Sequence, residues 1–322
     1  MTTTKPLRIL ITGANSGIGE AAARHLQESG HALTVVCRSR ERAEQSMDWL
    51  QDPSQILIAD LADLIAVKKM AHQLGLDGQK FDVLVLNAGL QYAGVDTPRW
   101  SQQGFELTWA VNHLAHQCLL QLVLPLLLDS PSPRVVITAS EVHNPTTGGG
   151  RVGQPAGLGT LAGLDQGKGA SMVDGTSPFS ADKAYKDSKL CNLLMGLELS
   201  HRQPQLPVLC WSPGLVIPRS KDGFFRESLK ANPWGQAVFG FIARDLFRLT
   251  EQPERAGNLL VSLVMGHHDA TGMRYLSNHV VAPGKHIFES TEPSPEATDI
   301  DLARTLWQLS ENLIKTSLQT PA

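Results

Sequence analysis

The sequence predicts a single doubly wound α/β domain spanning residues 1–322: a mainly parallel sheet of about seven strands with helices on both faces. Three observations predict it. Short apolar runs alternate with helix-length segments along most of the 322 residues. The runs are continuously apolar rather than alternating, as befits strands buried on both faces. The first run leads into a glycine-rich turn, Thr12-Gly13-Ala14-Asn15-Ser16-Gly17-Ile18-Gly19, followed by a helical stretch.

Strands are expected at residues 8–12, 33–37, 56–59, 83–86, 135–139 and 208–211, with a weaker one near 273–277. Parallel neighbours require crossover connections, and the helical stretches between the runs supply them. Two segments break the rhythm. Residues 144–183 are rich in Gly, Pro and Ser and read as a long insertion between a strand and a helix. A loop of that length in a compact domain is usually functional or disordered. Residues 221–250 carry Trp234, Val238, Phe239, Phe241, Ile242 and Phe247, which suggest an amphipathic helix placed as a substrate lid.

The net charge of −3 offers no basic footprint, so a nucleic-acid partner is not expected. Cys37, Cys118, Cys191 and Cys210 are far apart, without a C-x-x-C pair, and read as reduced thiols rather than a disulfide frame or zinc site. The N-terminus lacks a secretory pattern, and no continuous apolar run reaches the ~18 residues of a membrane span. A cytoplasmic protein, at most peripherally attached to a membrane, is expected.

The glycines of the first turn let the backbone approach a pyrophosphate at a helix N-terminus, with Asn15, Ser16 and Ile18 between them. Asn87-Ala88-Gly89 closes the fourth strand. An NAD enzyme would place a carboxylate after the second strand, to hold the ribose 2′-hydroxyl. Here the residues are Cys37-Arg38-Ser39-Arg40-Glu41-Arg42. Arg38 can fork onto a 2′-phosphate, with Arg42 one turn away, so the expected cofactor is NADPH. Asp60-Leu61, after the third strand, resembles the adenine-contact pair of dinucleotide-binding reductases.

Tyr185-Lys186-Asp187-Ser188-Lys189 forms a Tyr-x-x-x-Lys pattern. On a helix, residues four apart share a face, so the Lys189 ammonium is expected to lower the phenol pKa of Tyr185, making it a proton donor near neutral pH. Ser140, at the end of the fifth strand, and Asn112 complete a tetrad. His113, His116 and His143 lie near these motifs without carboxylates or Cys at ligand spacing, and read as packing or surface residues; no metal is expected.

The glycine turn, Asn87-Ala88-Gly89 and the tetrad together resemble the short-chain dehydrogenase/reductase family, whose fold is Rossmann-like. Several stretches are also similar to the light-dependent protochlorophyllide oxidoreductases: KAYKDSKLCN at 183–192, the segment 98–116, the insertion with Gly148-Gly149-Gly150 and SMVDG at 171–175, and the C-terminal segment 288–314. Ser140 and Tyr185 are 45 positions apart, far more than in ordinary members of the larger family.

That resemblance implies light-driven, NADPH-dependent reduction of the C17=C18 double bond of protochlorophyllide to chlorophyllide, in chlorophyll biosynthesis. It implies Cys191 as an active-site cysteine, with either Tyr185 or Cys191 as proton donor. It also implies Pro213 and Gly214 as cofactor contacts and Cys191, Tyr92, Trp234 and Phe239 as substrate contacts. Peripheral contact with a photosynthetic membrane and a homo-oligomer are compatible with it. The chain departs from the family at Ser140, Leu86, Gln91 and Tyr275-Leu276-Ser277, positions where a large planar pigment would be contacted. Two other classes are weighed against it: a dark NADPH-dependent carbonyl reductase for a bulky apolar substrate, and a non-catalytic NADPH-binding module. A sensor needs no proton donor, so the intact tetrad argues against the last.

Overall fold

The computed structural model describes residues 5–52, 55–217, 226–231, 233–234, 243, 249–266 and 272–319. Eight strands form one sheet in the order β3-β2-β1-β4-β5-β6-β7-β8. They are β1 (Arg8–Thr12), β2 (Ala32–Cys37), β3 (Ile56–Ile58), β4 (Val83–Leu86), β5 (Arg134–Thr138), β6 (Val208–Ser212), β7 (Met273–Ala282) and β8 (Lys285–Ser290). All neighbours pair in parallel except β7 and β8, which form an antiparallel hairpin. The sequence reading has about seven strands. The missing one, β8, is an edge strand whose side chains are mostly exposed, so it lacks the apolar run that marks the others.

The helices are α1 (Gly17–Glu28), α2 (Arg40–Ser46), α3 (Leu64–Leu76), α4 (Leu107–Leu128), α5 (Ala162–Gln166), α6 (Ala181–Arg202), α7 (Arg226–Ala231), α8 (Pro253–Met265) and α9 (Ile300–Gln319). Alternate strand residues point to opposite faces. Ile9, Ile11, Val83, Val85 and Trp211 therefore join the core under α1, α2 and α8. Leu10, Leu84, Leu86, Ile137 and Cys210 join the core under α3, α4, α6 and α9. By length and composition α4 could cross a membrane, but most of its apolar window is buried between the sheet, α6 and α9. It is a core helix.

The strand order reverses between β1 and β4, whose C-terminal ends form a crevice. Open α/β sheets bind ligands at this switch point.

The insertion is built, not structureless. Leu158 and Leu161 are wholly buried in the α6 side of the core, and α5 forms one short helix within it. Of the proposed lid, 221–250, the structure describes only residues 226–231, 233–234, 243 and 249–250. Phe239 lies outside the described residues.

Candidate active site

Two glycines set the floor of the crevice. Gly13 has φ +71°, in the left-handed region, and a Cβ there would sit 2.8 Å from Ala88 Cα. At Gly19 a Cβ would lie 2.1 Å from the Gly13 carbonyl oxygen and 2.5 Å from Asn87 Nδ2, so only glycine lets α1 start this close to β1 and β4. Ser16 caps α1 in extended geometry and makes no side-chain cap bond. The first N–H groups of α1, with the positive end of its dipole, thus face the crevice.

Thr12 joins the two strand ends. Its Oγ1 accepts from the backbone N–H groups of Asn87 and Ala88, each at 3.0 Å. Asn87 in turn donates Nδ2–H to the carbonyls of Thr12 (3.1 Å) and Gly13 (3.3 Å) and accepts from Thr138 Oγ1 at 3.2 Å. The Trp211 indole donates to Thr138 Oγ1 at 3.0 Å. One network therefore spans the ends of β1, β4, β5 and β6.

Arg38 stands exposed at the end of β2, where an NAD site would need a carboxylate. Ser39 caps α2 by accepting from Arg42 N–H, and Arg42 is half-buried beside it. Asp60 accepts from Ala62 N–H at 2.9 Å, which fixes the loop after β3, with Leu61 buried next to it.

On the chemical side, α4 passes through a π-helical turn at Ala110–Leu114. Such turns concentrate at functional sites. Asn112 projects from it, exchanging hydrogen bonds with the Leu90 backbone (2.8 and 3.0 Å) and donating to Ser188 Oγ at 3.0 Å. Ser188 donates to the Tyr185 carbonyl at 2.7 Å. Lys189 donates to the Thr138 carbonyl at 3.0 Å, and Asn192 reaches the same oxygen at 3.2 Å. The Ser140 hydroxyl lies beside the Tyr185 phenol and favours its ionised form. Asn112, Ser140, Tyr185 and Lys189 are thus brought together above the crevice, and Asn112 Oδ1 and Lys189 Nζ both border Gly89.

Their electrostatics differ from the expectation that the lysine draws the phenol pKa down. Burial lifts the Tyr185 phenol above its ordinary value, and Ser140 pulls it only partly back. Burial also pushes Lys189 down to about 7. Both shifts have one cause, the cost of charge in a dry site. At neutral pH the phenol keeps its proton, the state a proton donor needs.

Cys191 sits elsewhere. Six residues on from Tyr185, it lies about 120° round the helix. It is wholly buried in the core against Trp109, and burial raises its thiol well above the ordinary range. Tyr92 is also wholly buried; its hydroxyl binds Glu106, which caps α4 by accepting from Thr108 and Trp109 N–H. Trp234 is 84% exposed. Pro213 and Gly214 follow β6 at the crevice end, where the Pro213 carbonyl accepts from Asn278 Nδ2 at 3.0 Å. His113, His116 and His143 are all buried, and among the described residues no cluster of metal ligands forms. His143 Nδ1 donates to the Ser140 carbonyl at 2.6 Å, bracing the loop that carries Ser140.

Two lysines that the sequence reading left without a role tie the insertion to α6. Lys183 contacts Asp187 (2.6 Å), Asp174 (3.1 Å) and the Gly157 carbonyl (2.7 Å). Burial works against its charge, yet the two carboxylates outweigh that and raise its pKa. Lys186 donates to the carbonyls of Gly150, Val152 and Gln154. Helical spacing was the available signal: Ser188 and Asn192 are three and seven residues from Tyr185, on its own face, and Lys183 and Asp187 form an i,i+4 pair on another.

Residues 8–150 match the short chain dehydrogenase family. The chain is 32% identical over 321 residues to protochlorophyllide reductase A, chloroplastic, of Arabidopsis thaliana, covering 95% of this chain and 76% of that protein. It is also 32% identical to protochlorophyllide reductase of Avena sativa, covering 95% of this chain and 99% of that one. Among solved structures, an uncharacterised protein from Mycobacterium paratuberculosis aligns with a TM-score of 0.65 at 25% identity, over 96% of this chain and 93% of that one.

Proposed function

Because this chain belongs to the short-chain dehydrogenase/reductase family and is an oxidoreductase of that kind, we propose that it uses NADPH to reduce the C17=C18 double bond of protochlorophyllide, with light absorbed by the bound pigment as the trigger. The observation that carries this reading is the similarity to protochlorophyllide reductases over 95% of the chain, which includes the insertion before Tyr185.

The crevice fits a dinucleotide. The glycine floor leaves no room for side chains, the α1 N-terminus opens onto it, and Arg38 stands free of any β2 carboxylate. Gly13, Asn15, Ser16, Gly17, Ile18 and Gly19 would hold the pyrophosphate, Arg38 and Arg42 the 2′-phosphate, and Asp60 and Leu61 the adenine. Asn87, Ala88 and Gly89 would border the nicotinamide ribose, with Tyr185 and Lys189 on its hydroxyls and Pro213-Gly214 beside the ring. When bound, NADPH supplies the hydride.

The protein supplies the proton and the dry site. Tyr185 keeps its proton at neutral pH and donates it to the carbon opposite the one that receives hydride. Ser140 stands beside the phenol and favours the phenolate left after proton transfer. Lys189, poised to titrate near neutral pH, offsets the phenolate charge left behind. Asn112 keeps the α4 turn and α6 in register through Ser188.

One observation favours a second reading. Paired hydroxyls of Ser140 and Tyr185 also suit a carbonyl oxygen, so the alternative is a dark, NADPH-dependent carbonyl reductase for a bulky apolar ketone. A visible spectrum of protein, NADPH and protochlorophyllide, recorded before and after a flash, separates the two. Conversion of the pigment band only after the flash supports the first. An unchanged band, with NADPH oxidised in the dark on addition of bulky ketones, supports the second.

A further inference from the structure

His116 lies on α4 one turn after Asn112 and is wholly buried. Its Nδ1 is 2.9 Å from the Asn112 carbonyl and its Nε2 is 3.0 Å from Thr12 Oγ1. A carbonyl can only accept, so Nδ1 carries the proton and Nε2 is bare. Thr12 must then donate its hydroxyl hydrogen to Nε2. The Thr12 oxygen already accepts from Asn87 N–H and Ala88 N–H, so its one donor and two acceptor sites are all filled. The imidazole stays neutral, held by burial and by the nearby Lys189 charge down to about 4.

The ring therefore spans two parts of the site. At one end is the π turn, where backbone bonding slips so that Ala115 N–H meets the Ala110 carbonyl, and where the Asn112 carbonyl takes a side-chain donor. At the other is the Thr12 hydroxyl, which aims the backbone of Asn87-Ala88 along the crevice. Without an acceptor at Nε2, that hydroxyl would turn toward the Val85 carbonyl, 3.5 Å away. Its lone pairs would then leave the Asn87 and Ala88 N–H groups.

We propose that His116 is a positioning residue for the cofactor, its neutral ring locking the Thr12 hydroxyl, and with it the Asn87-Ala88 segment, to the Asn112 turn. This rests on the reading that the glycine turn and Asn87-Ala88-Gly89 hold NADPH. It makes a buried histidine of the active-site helix a fixed acceptor, not a filler of space.

The role is testable without turnover. Nitrogen-15 NMR of the wild-type protein, with the His116 signals assigned by substitution, should show protonated Nδ1 and bare Nε2, the less common tautomer in water. The reverse tautomer would overturn the bridge. NADPH affinity is then measured by cofactor fluorescence on three variants. His116→Gln places an acceptor near the Nε2 position and should bind NADPH within about threefold of wild type. His116→Asn places a donor near Nδ1 only, and His116→Leu supplies neither; both should bind about tenfold or more weakly, as expected when a buried hydrogen bond fails. Equal, wild-type-like binding by all three would overturn this role alone. A wild-type protein that does not bind NADPH would overturn the cofactor reading, and this role with it. Should a variant fail to fold, the wild-type tautomer still decides whether the bridge exists.

Discussion

Lys189 Nζ donates to the Thr138 backbone carbonyl at 3.0 Å and stands 5.7 Å from the ring centroid of Tyr185. The lysine is thus fixed to the end of β5, while its charge faces the phenol across a buried gap. Because burial lowers its pKa to about 7, the folded chain binds fewer protons than the unfolded chain between pH ~7 and ~10.5. Stability from this group therefore rises with pH across that window and is lowest below it, where a charged ammonium must be buried. Lys189→Met removes that cost. The variant's melting temperature, relative to wild type, should be highest below pH 7 and should fall back towards pH 10. A difference that does not change with pH would show that Lys189 titrates normally.

Arg38 is expected to read the 2′-phosphate. Arg38→Ala should weaken NADPH by about 1.5–3 kcal/mol, the range for hydrogen bonds to charged groups, and leave NADH almost unchanged. Titration calorimetry with both nucleotides checks this. Equal losses would place the phosphate elsewhere.

Much of this was legible in the sequence, and the physical reason is the same for fold and site. β1, β2, β4, β5 and β6 lie largely in the core, so each is an apolar run that composition alone marks, and the edge strand β3 is only partly buried yet keeps such a run in Ile56-Leu57-Ile58. β8 is an edge strand, mostly exposed, and its alternating HIFES stretch gave no such signal. The Tyr185–Lys189 pair was legible because helical spacing puts residues four apart on one face, whereas Ser140 and Asn112 reach it only by packing of the fifth strand and the π turn against α6. What was not legible depends on long-range packing. That Lys183 and Lys186 hold the insertion needs Asp174 and the carbonyls of 150–154 brought back onto α6. The burial that shifts Tyr185 and Lys189 is likewise a property of the assembled core. Tyr92 illustrates the limit: an aromatic expected at the substrate is spent on Glu106 at the start of α4.

The insertion's attachment gives a separable effect. Lys186→Met keeps the stem but leaves the carbonyls of Gly150, Val152 and Gln154 without their shared donor. Stability should fall by about 3 kcal/mol, at the upper end for a lost charged hydrogen bond. Hydrogen exchange should speed up across residues 150–157 and leave the crevice protected. NADPH affinity should be unchanged and the KM for the second substrate raised. Unchanged exchange there would mean that the buried leucines, Leu158 and Leu161, hold the segment on their own.

Two side chains of α6, Tyr185 and Cys191, are candidates for the proton donor. Tyr185 faces Ser140 and Lys189 over the crevice, whereas Cys191 points about 120° away into the core against Trp109. Burial keeps both groups protonated at neutral pH, so protonation state does not separate them; position does. A donor must come within hydrogen-bond reach of the atom it protonates. Tyr185→Phe removes only the hydroxyl, and turnover should fall by about 10²-fold or more while NADPH still binds. Cys191→Ala should keep turnover within about threefold and lose about 1–2 kcal/mol of stability, the cost of a small core cavity. Cys191→Ser places a hydroxyl beside the otherwise unpartnered Trp109 indole N–H, so it should keep turnover within about threefold as well. Steady-state rates and denaturant melts of the three variants decide the matter. A Cys191→Ala protein as stable as wild type but about 10²-fold slower would move the donor to the thiol, and α6 would then have to turn or shift to bring it to the substrate.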